Sequence, residues 1–226
     1  MTEISERIQR LRHDIQRAAL KYGRDPGSVR LLAVSKTKPP EAILAAYAAG
    51  QRLFGENYLQ EALDKMTGLA ALDIEWHFIG RIQSNKTRLI AESFSWVHGI
   101  DDIRQARRLS EQRPEKSPPL NLCLQINLSG EASKGGIEPE AAMDLAHEIT
   151  ALPRIALRGL MALPAPEADF EQQRAPFRRL RQLLEKLQSQ GLKLDTLSMG
   201  MSDDLEAAIA EGASILRIGT ALFGPR

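Results

Sequence analysis

The sequence runs to 226 residues, 43% hydrophobic, 26% charged and 5% aromatic, with 30 basic and 29 acidic side chains for a net charge of +1. That composition excludes collagenous, coiled-coil and disordered classes, and the balanced charge offers no global field to gather nucleic acid or an anionic membrane. A single cysteine, Cys123, excludes an intramolecular disulfide and a cysteine-rich metal site, and its apolar neighbours over 120–128 mark it as a small buried hydrophobe.

No stretch reaches the roughly 18 consecutive apolar residues of a membrane span. The opening MTEISERIQRLRHDIQRAAL carries acids from position 3 and lacks a signal peptide's apolar core, so the expected compartment is the cytoplasm. The same segment places Ile4, Ile8, Leu11, Ile15 and Ala18 or Ala19 at spacings of three and four, the pattern of an amphipathic surface helix. Gly23 supplies its stop. The β-branched, apolar run 29–35 reads as a buried strand, and Pro39-Pro40 closes it and opens a helix over 41–49.

The rhythm then repeats. Strands are expected over 52–55, 76–79, 96–99, 120–128, 157–161, 196–199 and 215–218. Between them fall helices over 57–66, 83–91, 102–111, 139–151, 170–190 and 204–211. Eight strands separated by helices predict parallel βαβ units, the number that closes a (β/α)8 TIM barrel, here as one domain spanning 1–226 with an extra N-terminal helix. An open doubly wound sheet is the alternative, because periodicity does not distinguish closure from openness. The stretches 113–119 and 164–169, rich in proline and charge, read as surface loops.

In parallel α/β folds, functional residues gather at the carboxyl ends of strands. The segments that follow the strands here are rich in Lys, Asn, Ser, Gly and Arg and nearly free of acids, which suits an anionic ligand. Alternation puts Leu32, Val34 and Lys36 on one face of the first strand, with Ala33 and Ser35 on the other. If the first face lines the barrel, Lys36 ends it at the mouth, where burial favours the neutral amine that forms Schiff bases with aldehydes. Lys38 shares this parity and is its rival. After the seventh strand, 198–204 offers hydroxyls, a glycine and a capping acid; after the eighth, Arg217-Ile218-Gly219-Thr220 offers a glycine beside a hydroxyl. Both turns suit a phosphate. His13, His77, His98 and His147 have no metal-ligand spacing and read as structural or surface residues.

Long ordered motifs then become familiar: Leu32-Ala33-Val34-Ser35-Lys36-Thr37-Lys38-Pro39, Phe54-Gly55-Glu56-Asn57-Tyr58 and the run from Trp76 to Lys86. With Arg158-Gly159-Leu160-Met161, the run from Leu197 to Asp204 and the run from Arg217 to Gly224, they make the chain resemble the pyridoxal phosphate homeostasis protein family along its whole length. The resemblance implies a barrel like the N-terminal domain of alanine racemase, binding pyridoxal 5′-phosphate (PLP) as a Schiff base on Lys36. It matches Asn57 to a position near the ring, Ser198, Ser202, Gly219 and Thr220 to the phosphate, and Arg217 to the pyridine nitrogen. The segment Ser133-Lys134-Gly135-Gly136-Ile137 departs from the family pattern and leaves Lys134 without an assigned role.

The family is described as a carrier or buffer of PLP in vitamin B6 homeostasis. The chain is accordingly expected to be a monomer without specific turnover, with PLP-dependent apoenzymes as recipients and neither nucleic acid nor membrane as partner. A cationic arginine at the pyridine nitrogen makes a poor electron sink. A two-base racemase would also need a second acid/base, for which Tyr58 or a partner subunit is the candidate. A weak amino-acid racemase is the alternative, and an aldolase-type lysine enzyme without PLP is the third.

Overall fold

The structure, a computed structural model, describes residues 2–129 and 135–225. The amphipathic helix α1 (Glu3–Lys21) is followed by β1 (Arg30–Val34), α2 (Pro40–Ala48), β2 (Leu53–Glu56), α3 (Leu59–Gly68), β3 (Glu75–Phe78) and α4 (Thr87–Ser93). Then come β4 (Trp96–Ile100), α5 (Ile103–Gln112), β5 (Leu120–Gln125), α6 (Ala142–Thr150), β6 (Ile155–Met161) and α7 (Phe170–Ser189). The chain continues through β7 (Thr196–Ser198), α8 (Leu205–Ala210) and β8 (Ile215–Ile218) into a one-turn helix, α9 (Thr220–Phe223). Each strand pairs parallel to the next and β8 returns to β1, so the sheet closes in sequence order. The fold is a (β/α)8 barrel, not an open sheet.

Alternation along the strands splits the core in two. Ala33, Phe54, Phe78, Val97, Leu122, Leu160, Leu197 and Ile218 face outward into one continuous apolar layer beneath the helices. Leu32, Trp96, Cys123, Met161 and Ile215 face inward and fill the lumen, with Leu53 and Ile79 against them. Burying a leucine, isoleucine or phenylalanine side chain contributes about 1.5–3 kcal/mol, and most such side chains sit in the outer layer. That layer holds the barrel together. It leaves the lumen free to carry polar groups, among them His77, His98, Ser198 and Arg217. At the amino end of the strands, Arg30 and Arg158 stack on the Trp96 ring at 5.1 and 5.3 Å.

The N-terminal helix forms as expected: Thr2 caps it by accepting from the Ser5 N–H, and Ile8, Leu11, Ile15, Ala18 and Ala19 are buried. Some boundaries move. α3 begins at Leu59 rather than 57, because the strand ladder continues through Ile79 N–H to Glu56 O at 2.9 Å and holds Asn57 out of the helix. Gly80 lies against that backbone so closely that a Cβ there would sit 2.1 Å from Asn57 O. α4 begins at Thr87 instead of 83, after a turn whose Ser84 carbonyl accepts from the Thr87 hydroxyl. β5 ends at Gln125, and only Ile126 continues it, as a single bridge to Ile137. α9 was not anticipated.

The loop between β7 and α8 turns at Gly200 with φ +94°, and its carbonyl accepts from the Arg217 N–H at 3.0 Å. A Cβ at this position would lie 2.5 Å from the Ala208 Cβ. Gly200→Ala therefore combines left-handed strain with overpacking and should destabilise the barrel by about 2–4 kcal/mol. Urea unfolding checks this; a loss below about 1 kcal/mol would mean that the loop relaxes away from α8.

Candidate functional site

At the carboxyl end of the strands a cavity of about 500 Å³ opens between the ends of β1, β2, β6, β7 and β8. Its lining includes Lys36, Asn57, Ser202, Arg217, Gly219 and Thr220, with Val34, Ile79, Met161, Leu163 and Met201 as the apolar wall. Six of the seven expected site residues thus converge from four separate loops or strand ends. The size falls within the roughly 300–1,000 Å³ of small-molecule sites. The parity argument holds as well: Leu32 is in the lumen, Ala33 in the outer layer, and Lys36 reaches the cavity. Lys38 does not. Its Nζ donates to Gly224 O at 3.1 Å and Pro225 O at 2.9 Å, tying the first loop to the C-terminal segment.

Ser198 is the one expected site residue that the structure keeps out of the lining. It is fully buried, and its hydroxyl lies 2.7 Å from His98 Nδ1 and accepts from Arg217 at 2.8 Å. The inward face of β7 carries it below the cavity floor. Arg217 forms that floor. Its guanidinium also donates to the Ser198 carbonyl and to Ala162 O, and burial lowers its pKa to about 10. It is therefore cationic at physiological pH and held by fixed acceptors. Lys134 lies outside the described residues.

Two features of the cavity fit an occupant with donors and acceptors of its own. The Asn57 Oδ1 is buried and has no hydrogen-bond partner among the described residues. Such an atom costs about 1–3 kcal/mol unless something donates to it. Gly219 has φ −111°, and a Cβ there would meet Val34 no closer than 3.5 Å. The protein's own packing does not demand glycine here, so the missing side chain leaves room on the cavity side. The Ser202 hydroxyl stands 3.4 Å from the Ala221 N–H, in the first turn of α9.

Behind the lysine loop lies a buried ionic cluster. Lys65 of α3 donates to Glu56 at 2.8 Å, to Glu61 at 2.5 Å and to the Ser35 carbonyl at 2.8 Å. The Ser35 hydroxyl donates to Glu56 at 2.6 Å, and the Thr37 N–H donates to Glu61 at 2.6 Å. Thr37 has φ 62°, a conformation that strains a β-branched residue. Both chain neighbours of Lys36 are clamped by this cluster, and Glu56 precedes Asn57. Burial raises the Glu56 carboxyl above its ordinary range despite the lysine.

Comparison with known proteins places this geometry in context. The model of the alanine racemase N-terminal domain matches residues 7–226. The pyridoxal phosphate homeostasis protein of Pseudomonas aeruginosa is 61% identical over 226 residues, covering 100% of this chain and 97% of that protein. The protein of the same name from Escherichia coli strain K12 is 50% identical, covering 100% and 98%. The chain belongs to the pyridoxal phosphate homeostasis protein family. PipY of Synechococcus elongatus PCC7942 has been solved with PLP bound; it superposes with a TM-score of 0.86 at 39% identity, over 98% of this chain and all of that one. Alanine racemase of Corynebacterium glutamicum, at 16% identity and a TM-score of 0.67, shares the fold.

The residues that sequence reasoning missed are those that hold the loop carrying Lys36. Glu61 and Lys65 stand four apart on one helix face, the local signal of an ion pair, but nothing local indicates that Glu56 joins them from β2. Lys65→Met should cost about 3–5 kcal/mol at about pH 7, because it strands the Glu56 carboxylate. Without its cation Glu56 would bind a proton more tightly folded than unfolded, where its pKa is 4.5. The variant's stability should then fall as pH rises above about 4.5, so the loss is smaller at about pH 5. Equal losses at both pH values would show that Glu56 is solvated when Lys65 is removed.

Proposed function

We propose that this chain binds PLP in the cavity at the barrel mouth, covalently through the Lys36 Nζ, and serves in intracellular PLP homeostasis in the cytoplasm. It holds the cofactor and hands it over, as a monomer, to PLP-dependent apoenzymes, without turning over a substrate of its own. The observation that carries this reading is the convergence of Lys36, Asn57, Ser202, Arg217, Gly219 and Thr220 on one cavity. When bound, PLP supplies an aldehyde for an amine and a ring able to withdraw electrons.

The chain's own residues favour retention over turnover. Lys36 presents its amine at the end of an apolar strand face. The hydroxyls of Ser202 and Thr220 and the space at Gly219 suit the phosphate, while Asn57 offers its unpartnered oxygen. Arg217 remains cationic at the floor, so no acid there protonates a ring nitrogen. Among the described residues, the only ionisable side chain in the lining apart from Lys36 and Arg217 is that of Asp203. Tyr58, the candidate second base, is 52% exposed and is not part of the lining.

Borohydride reduction followed by peptide mapping should place a phosphopyridoxyl adduct on Lys36. Lys36→Ala should abolish the adduct with little change in stability, since it truncates a rim residue. An adduct that persists, or an unmodified Lys36 in PLP-saturated protein, would sink this reading and bring the PLP-independent aldolase forward. Exchange of the α-hydrogen of added alanine into deuterated water would favour a racemase over a carrier.

Thr220→Ala should speed cofactor release about fivefold, equivalent to about 1 kcal/mol for one lost hydrogen bond. Absorbance-monitored transfer to a PLP-dependent apoenzyme measures this. An unchanged rate removes Thr220 from the phosphate site.

A further inference from the structure

The barrel lumen contains a polar chain that no role described so far requires. Glu75, at the amino end of β3, lies 2.8 Å from His77 Nε2, and His77 Nδ1 lies 2.9 Å from His98 Nε2. His98 Nδ1 lies 2.7 Å from the Ser198 hydroxyl, which accepts from Arg217 at 2.8 Å. The imidazoles of His77 and His98 and the Ser198 hydroxyl are fully buried, and the links span β3, β4, β7 and β8. The series runs from one end of the barrel to the floor of the cavity at the other.

Elementary hydrogen-bond accounting gives this chain one direction. Arg217 can only donate, and an ionised Glu75 can only accept. Glu75 is kept ionised by its contacts with His77, Arg30 and Trp96, which hold its carboxyl below the usual range. Both imidazoles are held neutral, chiefly by burial, and His98 is further disfavoured as a cation by His77, Arg217 and Arg30. A neutral imidazole has one donor and one acceptor. His77 must then donate from Nε2 to Glu75 and accept at Nδ1, so His98 donates from Nε2. His98 accepts at Nδ1, so Ser198 donates there and accepts from Arg217. The reverse order would set a histidine lone pair against the Glu75 carboxylate.

We infer that His77, His98 and Ser198 form a one-directional hydrogen-bond relay, anchored on Glu75, that positions Arg217 at the cavity floor. They are positioning residues: each acts through the next, and Arg217 alone reaches the lining. The relay lets a buried guanidinium be oriented by a carboxylate that stands at the opposite end of the lumen from the cavity. It rests on the proposed function only for what Arg217 is positioned to meet.

Nitrogen-15 NMR of cofactor-free protein labelled at histidine reads the tautomers directly. At about neutral pH both His77 and His98 should be neutral with the proton on Nε2. A proton on Nδ1 of either ring, or a doubly protonated ring, overturns the relay. Ser198→Ala should move the His98 Nδ1 resonance and leave the His77 tautomer in place. The PLP-loaded variant should release cofactor about tenfold faster, with Ser198→Thr, which retains the hydroxyl, restoring both readouts. An unchanged His98 signal or release rate in Ser198→Ala overturns the positioning role. If the wild-type chain loads no PLP, the proposed function falls, and the tautomers still decide the relay.

Discussion

Closing eight parallel strands on themselves buries both faces of every strand, and the rest of the molecule follows from that constraint. Outward side chains must be apolar to seat the helices. Inward ones are buried in a lumen filled by side chains, so each polar group there needs a hydrogen-bond partner from the protein. The same alternation that buries Leu32 inside and Ala33 outside delivers Lys36 to the mouth. A slip of one residue in β1 would send the lysine beneath α3 and its neighbour Ser35 into the cavity. Strand register is therefore also site geometry.

Buried charge does the finer placement, and it does so in two separate networks. Outside the sheet, Lys65 binds Glu56, Glu61 and the Ser35 carbonyl, joining the ends of β1 and β2 to α3. Inside it, Arg217 is held by the Ser198 hydroxyl, two carbonyls and the histidine chain beneath. Buried ion pairs are poor sources of net stability, because desolvation offsets most of their attraction. Their value lies in geometry, since a charge with fixed partners has few other places to go. One network sets the flanks of Lys36 and the other sets the floor opposite it.

How much of this was legible in the sequence depended on the range of the interaction. The number and positions of the strands, the helix before β1 and the parity of Lys36 follow from spacings within a dozen residues, whereas the closed strand order does not. Spacing does not separate Lys36 from Lys38, whose parity is the same; the structure puts Lys36 in the cavity lining and ties Lys38 to the carbonyls at 224 and 225. Spacing groups Ser198 with the hydroxyls that follow β7, but its place at the end of β7 turns it inward toward His98, a residue 100 positions away in sequence. His77 and His98 carried no metal spacing, and what they do depends on strands that meet only after closure. Local pattern puts Asn57 at a helix start, because nothing local reveals the β2–β3 ladder and Gly80 holding it out.

A site that stores a reactive aldehyde has requirements opposed to those of a site that transforms it. A catalyst gains from groups that change protonation during turnover and from a floor that tracks charge as it develops. The floor here is a guanidinium that burial lowers only to about 10, so it offers no proton at physiological pH. Among the described residues, the one other ionisable group in the lining besides Lys36, Asp203, lies on an exposed loop position. The rim residues Leu163 and Met201 are 42% and 38% exposed among the described residues. On the proposed function, a fixed cation and an amine at the mouth serve reversible capture of an aldehyde rather than sustained proton transfer. Such a site would release the aldehyde to a competing amine, which is the balance the proposed cofactor reserve requires.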